Sequence, residues 1–244
     1  MERLLDRGIT GFTLSDRPEL LGLPQLPEPY FAAMWDLANE AHVALNFHIG
    51  SGATKERGNE AKEKGLLRRP AESAKAFADL YWDSFGPQRR LAILASQMYM
   101  SNARIIVNLC MSGMFDRYPN LRIVSAESGI GWIPFILESL EYQLDEMVTD
   151  PTERAVQQRR PTEYFRDHIS VTFWFERVGP SKLIEDVGID NVLIETDVPH
   201  PTCLYPGARE HFAAVLAGLD PLARRKVLQD NAVRVYNLPI WADA

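Results

Sequence analysis

Histidine, glutamate and aspartate residues follow three apolar, β-branched segments of the chain. His48 ends the segment ALNFH, Glu127 follows LRIVSA, and Asp197 follows NVLIET, with His200 three residues further on. Imidazoles and carboxylates together form a donor set that suits a divalent transition metal such as zinc or manganese. A metal held by them would lower the pKa of a bound water and polarise a carbonyl group.

Each of these residues also has a structural interpretation. A lone histidine after a strand is usually hydrogen-bonded within the fold. Asp197, before Val-Pro-His-Pro, could cap a turn. Glu127 could face the positive end of a helix that starts at Ile130. The functional interpretation therefore depends on whether these side chains converge at one place.

The elements that would bring them together are five predicted strands, at residues 8–14, 44–50, 121–128, 168–175 and 191–197. Helical patterns alternate with these strands, which predicts an α/β fold with a parallel sheet. Sites in such folds form at the carboxyl ends of the strands, so His48, Glu127 and Asp197 are expected at one rim. Residues 54–65 are expected to form an exposed loop, and residues 88–118 one or two long helices. Because no linker divides the chain, we expect one domain over residues 1–244.

Further side chains are expected around this rim. Ser128 directly follows Glu127, and Trp174 and Phe175 end the fourth predicted strand. Large aromatic residues there are typical of a core or a pocket wall. We expect Trp174 and Phe175 to line the pocket and Ser128 to lie in or behind it.

Composition excludes several classes of function. The 244 residues contain 26 Lys and Arg against 33 Asp and Glu, a net charge of -7, without a basic run that would favour nucleic acid. No apolar stretch reaches the ~18 residues of a membrane span. The two cysteines cannot form a disulfide framework, which favours a cytoplasmic protein. The expected partner is a small-molecule substrate.

Several motifs together resemble a known family. The segments LNFHIG, YPNLRIVSAESGIGWIPFILE, FWFE, IETDVPHP and DNAVRVYNL are similar to the amidohydrolase-2 branch of the amidohydrolase superfamily. That branch includes 2-amino-3-carboxymuconate-6-semialdehyde decarboxylase and gamma-resorcylate decarboxylase. The resemblance runs over residues 8–238 and implies a TIM-barrel-like (β/α)8 fold with one divalent metal at the rim.

The resemblance also implies residue roles. His48 matches the metal-ligating histidine after the fifth barrel strand, and Asp197 matches the aspartate after the eighth. Glu127 stands where the decarboxylases carry an acid/base histidine. His200 matches a histidine expected behind the metal ligands. The cofactor implied is one divalent ion, with zinc favoured and manganese or iron as alternatives.

Two departures from the family pattern shape the prediction. The opening His-x-His or Glu-x-His ligand pair is absent, and residues 8–14 align with the fourth strand, so we expect an incomplete barrel that contains strands 4–8. Its open edges favour pairing with another copy or a partner. A carboxylate at position 127 also makes a poor proton donor at neutral pH, because it is ordinarily ionised there.

These features lead to a ranked set of hypotheses. The first is a metal-dependent amidohydrolase-like enzyme that hydrolyses a small carbonyl compound, with Glu127 and Asp197 as catalytic residues. The second is a non-oxidative decarboxylase of an aromatic or muconate-type acid. The third is an inactive fragment or interaction module that lacks the amino-terminal metal ligands.

Overall fold

The computed structural model describes residues 1–51 and 82–239, and its sheet has five parallel strands in chain order. The strands are β1 (Gly11–Thr13), β2 (Ala44–His48), β3 (Arg122–Ala126), β4 (Ile169–Phe173) and β5 (Val192–Ile194). All five predicted strands are therefore confirmed, and each is shorter than its apolar pattern. Parallel strands in chain order form a partial TIM-barrel wall, as expected, with β1 and β5 as the edge strands of the described sheet.

The helices of the described residues connect these strands. They are α1 (Glu2–Leu5), α2 (Ala32–Ala41), α3 (Pro87–Met98), α4 (Ala103–Cys110), α5 (Met114–Arg117), α6 (Ile133–Met147), α7 (Pro151–Arg154), α8 (Pro161–His168), α9 (Ile184–Val187), α10 (Ala208–Val215), α11 (Pro221–Arg225) and α12 (Asn231–Tyr236). Several begin with proline, whose missing N–H costs nothing in the first turn. No helix among the described residues is long and apolar enough to cross a bilayer.

The one or two long helices predicted over residues 88–118 are three helices in the structure. A 3-10 segment (Tyr99–Asn102) separates α3 from α4, and Gly113, with φ of 64°, separates α4 from α5. Glycine adopts this left-handed conformation without the steric penalty of a Cβ atom. The predicted loop at 54–65 lies outside the described residues.

The two faces of the sheet differ in chemistry. One face packs against the helices through apolar residues such as Phe47, Ile123 and Phe173. The opposite face, which would be the interior of a closed barrel, carries Asn46, His48 and Thr172 towards the carboxyl ends of the strands. Polar side chains that point into a barrel interior are positioned for a site at the rim.

Helix α12 covers the amino-terminal part of this polar face. Val235 packs against Ala44, Val124 and Leu193 in a small apolar cluster. The Tyr236 hydroxyl donates a hydrogen bond of 2.7 Å to Oδ1 of Asn46. Helix α12 therefore covers the amino-terminal end of the polar face, and the carboxyl end of that face is left available for a site.

Candidate functional site at the carboxyl edge of the sheet

The structure brings three of the sequence-predicted residues together at the carboxyl edge. Glu127 follows β3, and Asp197 and His200 follow β5. Each offers one ligand atom, and these atoms all lie within 4.8 Å of one another. Two carboxylates and one imidazole at this spacing fit a divalent metal ion.

His48 lies next to this group and contacts Glu127. Its Nε2 is 2.5 Å from Oε2 of Glu127, and its Nδ1 is 2.6 Å from the carbonyl oxygen of Ile49. A carbonyl oxygen and an ionised carboxylate both accept hydrogen bonds, so these two contacts favour the doubly protonated imidazolium form of the ring. The hydrogen bond to Glu127 is the main cause that raises the pKa of His48 to about 9. Metal ligation by His48 stays a prediction, since the three-donor group forms without it.

Glu127 and Asp197 share an unusual backbone conformation. Both have φ of 58°, in the left-handed region that costs a residue with a Cβ atom on the order of 1–2 kcal/mol. The Glu127 amide donates to Oγ1 of Thr172 at 2.9 Å and to Oε2 of Glu195 at 3.3 Å. These bonds from β4 and β5 hold the turn that aims the Glu127 side chain at His48.

Glu195 is a site residue that the sequence interpretation missed. Its Oε1 is buried without a hydrogen-bond partner in the described structure. Burial raises the pKa of Glu195 to about 7 against the hydrogen bonds from Thr172 and Glu127, and the charges of Glu127 and Asp197 raise it further. The sequence carried a signal for it, because Glu195 lies two residues before Asp197 and on the same strand face as Leu193.

Asp197 pairs with His200 at the edge of the group. Nδ1 of His200 lies 3.0 Å from Oδ2 of Asp197 and 2.8 Å from Oγ1 of Thr202. Burial raises the pKa of Asp197, and the negative charge of Glu127 raises it further. His200, expected behind the ligands, thus belongs to the three-donor group itself.

Aromatic side chains form a wall beside the carboxylates. Trp174 is fully buried, whereas Phe175 is 45% exposed. The ring of Tyr99, which sequence reasoning missed, lies 5.2 Å from each of these rings, centroid to centroid. Burial raises the pKa of Tyr99, and the negative charges of Glu127 and Asp197 raise it further.

Ser128 belongs to a different network. Its Oγ lies 2.7 Å from Oγ of Ser125, which accepts a hydrogen bond of 3.0 Å from Nδ2 of Asn102. Asn102 also donates to the carbonyl oxygen of Phe47 at 2.7 Å. Ser128 therefore supports the ends of β2 and β3 from the helix side, and its hydroxyl does not join the carboxylates.

Comparison with known proteins matches nearly the whole chain to one family and part of it to named enzymes. The amidohydrolase family model matches residues 1–238. Gamma-resorcylate decarboxylase of Rhodococcus jostii (strain RHA1) is 30% identical over 134 residues, which are 54% of this chain and 39% of that protein. The chain thus spans less than half the length of this relative.

Solved structures show the same fold. An amidohydrolase of Mycobacterium avium subsp. paratuberculosis superposes with a TM-score of 0.67 at 19% identity, over 98% of this chain and 54% of that one. A dihydroxybenzoic acid decarboxylase of Polaromonas, solved with manganese and 2-nitroresorcinol, gives 0.62 at 18% identity, over 97% of this chain and 64% of that one. At such identities the likeness establishes the fold.

Proposed function

Because the chain belongs to the amidohydrolase family, we propose that it is a metal-dependent decarboxylase that releases carbon dioxide from an aromatic acid. The observation that carries this proposal is the imidazole of His48, whose Nε2 lies 2.5 Å from a carboxylate of the three-donor group and whose pKa, raised to about 9, favours the protonated form. A protonated His48 could donate a proton to the substrate, whereas an ionised Glu127 has no proton to donate. The hydrolysis favoured by the sequence receives less support, because the curated relatives are decarboxylases.

Glu127, Asp197 and His200 are the residues that would hold the metal. Manganese is the ion in the Polaromonas structure, and we propose it in place of the zinc that the sequence favoured. When bound, the ion supplies positive charge that draws the carboxylate and hydroxyl oxygens of an aromatic acid into the site. That charge offsets the negative charges of the two carboxylates, so that the site could take an anionic substrate.

The proposed chemistry moves one proton and breaks one carbon–carbon bond. His48 gives its Nε2 proton to the ring carbon that bears the carboxylate. The bond to the carboxylate then breaks, its electron pair returns to the ring, and carbon dioxide leaves. His48 regains a proton from solvent, since 53% of its side chain is exposed. In total, a carboxylate and a proton give an arene and carbon dioxide.

The aromatic wall supports an aromatic rather than an aliphatic substrate. The rings of Tyr99 and Phe175 lie 5.2 Å apart, centroid to centroid, and the charges of Glu127 and Asp197 act on Tyr99. Aromatic rings prefer offset or edge-to-face neighbours at centroid distances of about 4.5–7 Å. We propose that a flat substrate ring binds between this wall and the carboxylates.

Turnover of 2,6-dihydroxybenzoate with manganese tests the proposal. We expect carbon dioxide and resorcinol in equal amounts from the wild type, and about 100-fold less from both His48→Gln and Asp197→Asn. Bound manganese should persist in His48→Gln and fall in Asp197→Asn, with the exposed-site variant Asp36→Asn as control. Loss of manganese from His48→Gln would instead assign His48 as a ligand, as the sequence predicted. A metal-loaded chain that cleaves esters or lactones and releases no carbon dioxide would support hydrolysis.

A further inference from the structure

The carboxylate of Glu176 binds the turn that carries Glu127. Glu176 follows β4, and its Oε2 accepts a hydrogen bond of 2.9 Å from the amide of Ile130. Its Oε1 accepts from the amides of Gly131, at 2.8 Å, and Ile130, at 3.1 Å. A charged acceptor on backbone donors makes stronger hydrogen bonds than a neutral one.

Glycines leave room for this carboxylate. A Cβ atom at Gly129, whose φ is 71°, would lie 2.9 Å from Oε2 of Glu176. A Cβ atom at Gly179 would lie 3.0 Å from Oε1 of Glu176 and 2.9 Å from Cγ1 of Ile130. Side chains are therefore excluded on both sides of the carboxylate, and the turn closes tightly around it.

Glu176 also takes the place that Glu127 could have occupied. Helix α6 begins at Ile133, and an acid just before a helix start ordinarily faces its free amides. Glu176 accepts from the amides of Ile130 and Gly131, which precede α6, whereas the carboxylate of Glu127 meets His48. Glu176, which follows β4, thus binds the far end of the turn. Thr172 and Glu195 accept from the amide of Glu127 at its start.

We infer that Glu176 is a positioning residue, which sets the 127–131 turn so that the Glu127 carboxylate faces His48 and Asp197. The inference rests on the role proposed for Glu127. If Glu176 only capped helix α6, its carboxylate would stabilise that helix without affecting Glu127, at the start of the turn. The two roles differ in what happens to Glu127 when the Glu176 carboxylate is removed.

Amide spectroscopy of the metal-free chain separates the two roles. In Glu176→Ala we expect the nitrogen–proton signal of Glu127 to move along with those of Ile130 and Gly131, although Glu127 does not touch Glu176. Glu176→Gln keeps one oxygen acceptor and should restore much of the wild-type Glu127 signal. Glu163→Ala, which removes a comparable carboxylate–amide bond to Arg160 far from the site, is the control.

Manganese affinity, measured by calorimetry, gives the second readout. We expect about a tenfold weaker affinity in Glu176→Ala and a smaller loss in Glu176→Gln, as for residues that orient metal ligands. An unchanged Glu127 signal with unchanged affinity would overturn the inference. If the wild type binds no manganese, the proposed function fails, and the amide spectra still decide the role of Glu176. If Glu176→Ala does not fold, Gly179→Ala, which crowds the same carboxylate without removing it, serves for the same comparison.

Discussion

Nε2 of His48 and Oε2 of Glu127, 2.5 Å apart, join the end of β2 to the residue that follows β3. His48 pairs directly with Ala126 in the sheet register, so Glu127 is one residue beyond its partner. In an extended strand that residue would point to the helix side. The left-handed conformation of Glu127 turns its side chain back to the polar face, and this allows the contact.

Replacement of Glu127 by glutamine should lower the pKa of His48 from about 9 towards its ordinary value of 6.5, because Glu127 supplies the main stabilisation of the imidazolium. Nuclear magnetic resonance titration of the imidazole in the metal-free chain measures this. The exposed variant Glu138→Gln should leave the value unchanged. A pKa that stays near 9 in Glu127→Gln would show that another group holds the proton.

The same pair should make stability depend on pH. Since the pKa of His48 is higher in the folded chain than the unfolded value of 6.5, the pair stabilises the fold fully below pH 6.5. That contribution is lost as pH rises through about 9. We expect the free energy of unfolding of the wild type and Glu127→Gln, measured in urea, to converge over this interval. A constant difference between them would contradict the assignment.

Glu195→Gln should stabilise the chain at alkaline pH relative to the wild type. The folded pKa of about 7 exceeds the ordinary 4.5, so the folded state binds more protons between these values. The unfolding free energy of the wild type must then fall as pH rises from 4.5 to 7, because a buried carboxylate becomes ionised. Urea unfolding from pH 4.5 to 8 measures this change. The part of the fall in unfolding free energy that Glu195 causes should be absent in Glu195→Gln. It should remain in Glu185→Gln, the exposed control.

Asn102→Ala should destabilise the fold by about 1–3 kcal/mol, because it leaves the buried acceptors at Phe47 and Ser125 without their donor. Thermal unfolding followed by circular dichroism measures the loss. Asn108→Ala removes an exposed side-chain bond to Arg104 and should change stability by much less. Equal losses of stability in the two variants would mean that burial of the Asn102 network adds nothing to the stability of the fold.

Tyr99→Leu should raise KM for 2,6-dihydroxybenzoate by about tenfold or less, the equivalent of one aromatic pair. The metal affinity should stay at the wild-type value, because Tyr99 is absent from the three-donor group. Steady-state kinetics beside manganese titration separates the two effects. Tyr142→Leu, on the exposed side of α6, is the matched control. A change in kcat with KM unaltered would move Tyr99 from substrate binding to the chemical step.

The strands and the rim were predictable, because β-branched apolar runs alternate with helical patterns and the polar residues end those runs. The break before α4 was not, since it depends on Asn102 reaching the carbonyl of Phe47 across the sheet edge. The break at Gly113 had a visible signal in Ser112-Gly113.

Within the site, sequence placed Glu127 and Asp197 at one edge but could not give their left-handed backbone, which glutamate rarely adopts. The bonds from Glu176 and Thr172 were equally hidden, because they join residues that are distant in the chain. The preference for hydrolysis came from considering Glu127 alone. The direct contact of Glu127 with His48, the proton donor that we propose instead, is seen only in the folded chain.

The left-handed backbone at Glu127 and Asp197 costs folding free energy, whereas the proposed reaction needs the carboxylates of both residues. Glycine would relax both turns, so a screen for thermal stability alone would act against the two carboxylates, offset at Glu127 by its stabilising pair with His48. A screen for activity would keep them against that preference. Related chains that keep the proposed activity should therefore retain carboxylates at residues 127 and 197. Related chains that keep only the fold should lose them there first.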